Sequence, residues 1–432
     1  MSLDQALYRE FDPTRPLEAG EAEYVDWQKE LGLDDVKPRL ARSLSLSLDA
    51  PVCRLFTGHR GIGKTTELKR VKRLLEEGAA GQRYFVCYLE SERWLDLEDV
   101  QAPEVVLHIV RQIVDDLRRK EVPLGESALG GFLNRLTELM KSEVELKEVK
   151  VPAGLVDFGF AIKDVTHARR KLRELLEGRL PDLYDLVNRE VLEPARRFLA
   201  KPENGGYAGV VVIVDELDRI PQKVLNDQGL TNHENLFLDN ARRFRALACH
   251  VVYTLPIELA YSTCRGRLQA TYGTEILHLP VMPVCHRDGG GDPKAVAMLQ
   301  RLVEARLAKA GATVQQCFAA PELLERLCRL SGGHFRNLFL LMRSALERSG
   351  ALPLAEPVIT RAVRRQAVDL SIALRREDWE ILRRAHASKQ AEDGDSGSWL
   401  RLLKDGYAFA YEDEQGAWYD WNPLLAEVSR GE

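Results

Sequence analysis

Gly58, His59, Arg60, Gly61, Ile62, Gly63, Lys64 and Thr65 follow the spacing G-x-x-x-x-G-K-[ST]. That pattern brings backbone N–H groups, one ammonium and one hydroxyl to a single turn. The glycines let successive N–H groups curl around phosphate oxygens, and the start of a following helix adds the positive end of its dipole. Lys64 can reach the β- and γ-phosphates of a nucleoside triphosphate, and the Thr65 hydroxyl can complete a Mg2+ shell. The mechanism needs a strand before the turn and a helix after it. Val52, Cys53, Leu55 and Phe56 form an apolar strand-like run, and Thr66 opens a helical pattern to Leu75. This flanking order sets the motif apart from a glycine turn with a chance lysine.

A second chemical signal lies downstream, where Gly209 to Ile220 reads G-V-V-V-I-V-D-E-L-D-R-I. An uninterrupted β-branched run suits a central parallel strand covered on both faces. Ligands of such sheets sit beyond the carboxyl ends of the strands, where Asp215 would emerge. Asp215 can then hold Mg2+, while Glu216 orients and deprotonates an attacking water. Two acids here also suit the start of a helix, because negative charge favours that end of the dipole. The phosphate loop in the same chain favours the metal-and-water reading.

These residues need a scaffold. Tyr84 to Leu89, Cys249 to Pro256 and Glu275 to Val284 are further strand patterns, and helical patterns at Val105–Leu117 and Asn235–Leu247 fall between the strands. Strands alternating with helices predict an α/β fold with a doubly wound parallel sheet.

The order of phosphate loop, Asp-Glu strand, polar-tipped strand and a helical segment containing G-G-H-F-R (332–336) resembles the AAA+/STAND group of P-loop ATPases. Within that group it is most similar to bacterial ATPases with an origin-recognition-like nucleotide core. The resemblance spans roughly residues 20 to 430 and implies ATP and Mg2+ as ligands. It matches Lys64 and Thr65 to Walker A, Asp215 and Glu216 to Walker B, Thr254 to sensor 1 and Arg336 to sensor 2. Thr254 could equally just end a strand before Pro256. Arg336 sits at a helix start, where a cation has no dipole reason to be, and a γ-phosphate contact would explain it. Arg265 or Arg267 occupies the region of an arginine finger, with a solvated basic loop as the alternative. The segment ahead of the phosphate loop contacts adenine in such proteins, which points to Tyr24 or Val25; local packing against the core is the other reading.

Composition bounds the rest. At 432 residues, 45% hydrophobic and 29% charged, the chain has ample material for a core, and length alone suggests about three domains of about 150 residues. A net charge of -5 argues against broad nonspecific nucleic-acid binding. Seven cysteines show no metal-ligand spacing, so buried reduced thiols are expected. No signal-peptide pattern opens the sequence and no apolar run reaches about 18 residues, so a cytoplasmic protein with no membrane span is expected.

The expected organisation is an N-terminal segment packing on the core (1–50), a nucleotide core (51–290) with an insertion at about 120–205, a helical lid (291–374) and a winged-helix-like unit (375–432). Alternating segments around Pro152-Ala153-Gly154 read as a β-hairpin within the insertion, and a charged helix should follow from Asp164 to about Leu199. In the last unit, two helices precede alternating segments at Tyr407–Tyr411 and Ala417–Trp421. Their acids Glu412, Asp413, Glu414 and Asp420 would repel DNA phosphate. A protein-packing winged helix is therefore favoured over a DNA-binding one.

Together these features point to an ATP-binding, slowly hydrolysing molecular switch that couples nucleotide state to a protein partner or effector, in bacterial defence or signalling. A homo-oligomer fits the resemblance. The alternatives are an ATP-dependent DNA-binding initiator or transposition-type regulator, and an inactive nucleotide-binding scaffold.

Overall fold

The computed structural model describes residues 2–47, 50–124, 131, 166–391 and 397–429. Its centre is a five-stranded sheet in the order β2-β3-β4-β1-β5. The strands are β1 (Cys53–Thr57), β2 (Tyr84–Glu90), β3 (Gly209–Asp215), β4 (His250–Thr254) and β5 (Ile276–His278), and every pairing is parallel. The α/β expectation holds. Along β3, Val210, Val212 and Val214 belong to one buried core while Val211 and Ile213 belong to another. Alternate side chains of a strand point to opposite faces, so β3 is apolar throughout because helices cover both sides.

Register aligns the chemistry. Tyr253 of β4 pairs with Leu55 of β1 and with Val214 of β3. The phosphate loop after β1 and Asp215 at the end of β3 therefore leave the same edge of the sheet. β2 ends level with them, Glu90 pairing with Asp215.

Three stretches depart from the sequence reading. The helix expected over Asn235–Leu247 is broken into a π-helical turn, Asn235–Asp239, and a short helix, Ala241–Phe244. Asn240 is the cause: both its backbone N–H and its side-chain amide bond the Asn235 carbonyl, widening the turn. The strand expected over Glu275–Val284 stops at His278. Pro280 and Pro283 have no N–H to give a ladder; Val281 donates instead to Ala410, 3.3 Å away in the C-terminal hairpin. The described part of the charged stretch forms helices Thr166–Glu177, Leu180–Val187 and Glu193–Leu199, with a π-helical turn, Asn188–Leu192, ahead of Pro194. Proline removes the donor that would close an ordinary turn there. The hairpin expected around Pro152 lies outside the described residues.

Helices Leu3–Glu10 and Val36–Ser45 precede the sheet, and Pro293–Lys309, Pro321–Leu330 and Phe335–Arg348 follow it. The last unit has helices Arg376–Ser388 and Gly397–Lys404 and an antiparallel hairpin of β6 (Ala408–Asp413) and β7 (Gly416–Trp421). Ala408 and Ala410 pack on these helices, whereas Phe409, Tyr411 and Trp418 share the larger core with the helices before them. The hairpin's acids are largely used internally: Asp413 pairs with Arg287, and Asp420 with His386 and Lys389. Cys53, Cys87, Cys249, Cys264, Cys317 and Cys328 are buried, Cys285 is half-buried, and all are free thiols. Among the described residues no helix is long and apolar enough to cross a membrane.

Candidate functional site

The sequence after β1 closes a tight loop because glycine stands wherever the backbone turns left-handed. Gly61 has φ 91° and Gly63 φ 96°. A Cβ on Gly61 would meet the Arg336 side chain at 2.6 Å, so no larger residue fits beneath that arginine. Gly63 caps helix Lys64–Glu77 without any side-chain hydrogen bond. The first N–H groups of that helix are left for an external acceptor. Gly61, Gly63, Lys64, Thr65 and Thr66 line a cavity of about 420 Å³, within the range of small-ligand pockets (about 300–1,000 Å³).

Lys64 is buried, and its Nζ donates to the carbonyls of Gly58 and His59, each at 2.7 Å. Its carboxylate partner is Asp218, at 3.0 Å. Asp215 accepts from the Tyr88 hydroxyl and from the Glu216 N–H, both at 2.7 Å, and the Thr65 hydroxyl bonds it as well. Burial pushes the Asp215 carboxyl up, with Asp218 adding to it and these hydrogen bonds opposing. Glu216 stands at φ 71°. A non-glycine residue held there costs about 1–3 kcal/mol, and such strain gathers at functional sites. Its carboxylate accepts from the Glu92 N–H at 3.1 Å and pairs with Arg219 at 3.1 Å. Burial raises this carboxyl too, against the pull of Arg219.

The roof comes from the helical segments after the sheet. Arg336 donates its backbone N–H to Gly61 at 3.0 Å, and His334 Nε2 donates to the Arg60 carbonyl at 2.7 Å. The Arg336 Nε is buried without a hydrogen-bond partner. Burial lowers its pKa, with Arg60 and Arg219 adding to the effect. The opposite wall is the N-terminal segment. The Leu17 N–H donates to the Thr66 hydroxyl at 3.0 Å. Tyr24 bonds Glu67 at 3.1 Å and lies under the Arg70 guanidinium at 3.4 Å. Leu17, Val25, Trp27, Leu302, Phe335 and Phe339 give the cavity its apolar surface.

Some expected residues lie elsewhere. Gly58, His59, Ile62, Thr254, Arg265 and Arg267 are not among the residues lining the cavity. Thr254 is fully buried and donates to the Val214 carbonyl at 3.4 Å, joining two strands. His59 faces away, its Nε2 accepting from the Ala410 N–H at 2.9 Å. Arg265 donates to the Ala260 carbonyl at 3.2 Å. Asp218, Arg219, Arg15, Arg306 and Phe339 line the cavity but were not singled out from the sequence. The D-E-L-D-R spacing was the available signal for Asp218 and Arg219; nothing local marked the others.

No family model matches the chain, and no curated protein matches it. Solved structures similar to it include the ORC2 protein of Aeropyrum pernix in ADPNP–ADP complexes, 15% identical, with 98% of this chain and 95% of that chain covered and a TM-score of 0.43. The Walker-type ATPase of Pyrococcus abyssi is 16% identical, with 98% and 99% covered and a TM-score of 0.43. The ORC1 protein of Aeropyrum pernix in complex with DNA is 14% identical, with 100% and 98% covered and a TM-score of 0.39. At scores this low, the functional reading rests on this chain's own residues.

Proposed function

We propose that the chain binds ATP with Mg2+ and hydrolyses it slowly, as a switch that passes nucleotide state to a partner protein. One observation carries this reading: Lys64, Thr65, Asp215, Glu216 and Arg336 line a single cavity although they come from three distant parts of the sequence. The residues fit the ligands. Uncapped N–H groups, Lys64 and Arg336 suit a polyphosphate, and the apolar wall beside Val25 and Phe339 suits a base. Thr65 and Asp215 suit Mg2+, which favours few protein ligands together with phosphate oxygens and water. Among the described residues no cluster of three or more acidic, histidine or cysteine ligands competes for a metal. Bound there, Mg2+ would neutralise charge on the β- and γ-phosphates.

In this reading Glu216 takes a proton from water as the water oxygen bonds the γ-phosphorus. The bond from that phosphorus to the β,γ-bridging oxygen breaks, and ADP leaves with the electron pair. The raised pKa of Glu216 makes it a stronger base than an exposed glutamate. Glu216→Gln should keep ATP affinity and lose about 100-fold or more in turnover, the scale of general-base catalysis. Unchanged phosphate release by that variant would refute the assignment.

A route out of the site supports the switch reading. The Phe409 ring stacks on His334 with centroids 5.3 Å apart and meets His59 edge-on at 5.6 Å. One hairpin residue thus touches both the phosphate loop and the segment that positions Arg336.

A further inference from the structure

The four cations at the phosphate end of the cavity are not equally matched. Lys64 has Asp218, and Arg219 has Glu216 and Glu92. Arg60 and Arg336 line the same cavity with no carboxylate in ion-pair reach among the described residues. Arg60 belongs to the phosphate loop, and its backbone is clamped by His334. Arg336 lies over Gly61, one residue further on. Arg219 closes the third side from the turn after β3. Three guanidiniums around one space repel each other unless an anion of high charge stands between them. The terminal phosphate has that charge, and planar guanidinium forks match its oxygens.

We propose that Arg60 and Arg219 contact the terminal phosphate within the same chain, beside Arg336, and serve as its arginine finger in cis. This rests on the ATPase reading and goes beyond it. Arg265 and Arg267 stand off the cavity of their own chain, so either could act only across a boundary between two copies. With Arg60 and Arg219 in place the terminal phosphate is capped without one. Arg219 also lies 3.1 Å from Glu216, so one guanidinium joins the base to the group being transferred. During transfer it stabilises charge on the equatorial oxygens and exchanges no proton.

The test uses the full chain with Mg-ATP, Mg-ADP and a non-hydrolysable ATP analogue. Arg219→Ala and Arg60→Ala should each slow single-turnover hydrolysis by about 100-fold or more, towards the scale of a lost arginine finger. Both should bind ADP as the wild type does while losing its preference for the triphosphate analogue. Arg219→Lys keeps a cation near Glu216 and separates folding from phosphate recognition; it should melt with the wild type yet hydrolyse as slowly as Arg219→Ala. The wild-type rate per chain should not change on dilution, and mixing Arg219→Ala with Lys64→Ala should restore nothing. Restoration in that mixture, or wild-type turnover and triphosphate preference in both alanine variants, would overturn the proposal. If the wild type hydrolysed nothing, the ATPase reading would fail, and the triphosphate preference would still decide the role of the arginines.

Discussion

At the scale of single residues, the site works by holding charges where water cannot relieve them. Asp215 shows this best. Its buried carboxylate is costly to ionise, which is why its pKa is raised. That cost is absent below the unfolded pKa, about 3.9, and is complete once pH passes the folded value. Asp215→Asn should therefore melt higher than the wild type at pH 8, by about 1 °C for each 1 kcal/mol recovered in a chain of 432 residues. The gain should vanish near pH 4, and Mg2+-dependent ATP affinity should fall at every pH. Calorimetric melting across that range, read beside ATP titration, checks both halves. A lower melting temperature at pH 8 would mean that Asp215 is held mainly by its hydrogen bonds. Motif spacing and the flanking strand patterns were enough to expect Lys64, Thr65 and Asp215 at one sheet edge, and all three line the cavity. They could not show that the Lys64 carboxylate partner is Asp218, because a side chain's partner depends on how a turn three residues long is wound.

At the scale of elements, the hairpin is the part whose environment differs most from its sequence pattern. Ala408 and Ala410 alternating with Phe409 and Tyr411 indicate two faces, and both are covered. Alternation reveals a strand but not what packs on its second face, so the contact with His59 and His334 could not be read locally. Phe409→Ala would leave a hole between His59 and His334, and burial losses of this kind cost about 3–5 kcal/mol. The variant should unfold at clearly lower denaturant. It should also lose any ATP-dependent change in protease cutting of the C-terminal helices, while retaining ATP binding. Persistent nucleotide-dependent cutting would show that the signal leaves by another route. β3 was legible for the opposite reason: a run of valine and isoleucine fits few environments other than a central strand. Apolar spacing over Asn235–Leu247 suggests one helix, but Asn240 competes for the backbone, an effect that such spacing does not record.

At the scale of the whole molecule, the N-terminal segment and the helices after the sheet meet over the cavity. Phe11 packs on Phe339, Arg343 stacks over Tyr8 at 3.7 Å, and Lys309 and Arg15 both bond Glu23. Burial alone would raise Glu23, but these cations hold its pKa down at about 2. Closure of this kind lets a ligand in the cavity change the angle between the parts that form it. The molecule's surface gives less support to DNA control. The hairpin's Asp413 and Asp420 are bound to Arg287 and Lys389 of their own chain, so those two cations are already matched and add no free positive charge for a duplex. A gel-shift titration at low and high salt should show no ATP-dependent DNA binding; a steep salt-dependent shift that requires ATP would favour the initiator reading.

The most direct measurement is calorimetric titration of Mg-ATP into the wild type and into Lys64→Ala. The account predicts one site per chain in the wild type and an affinity at least about tenfold weaker in the variant, a loss of about 1.4 kcal/mol or more. Equal affinity in the two proteins would contradict it, because the strand, the loop and the helices after the sheet would then have gathered their cations around something other than a triphosphate.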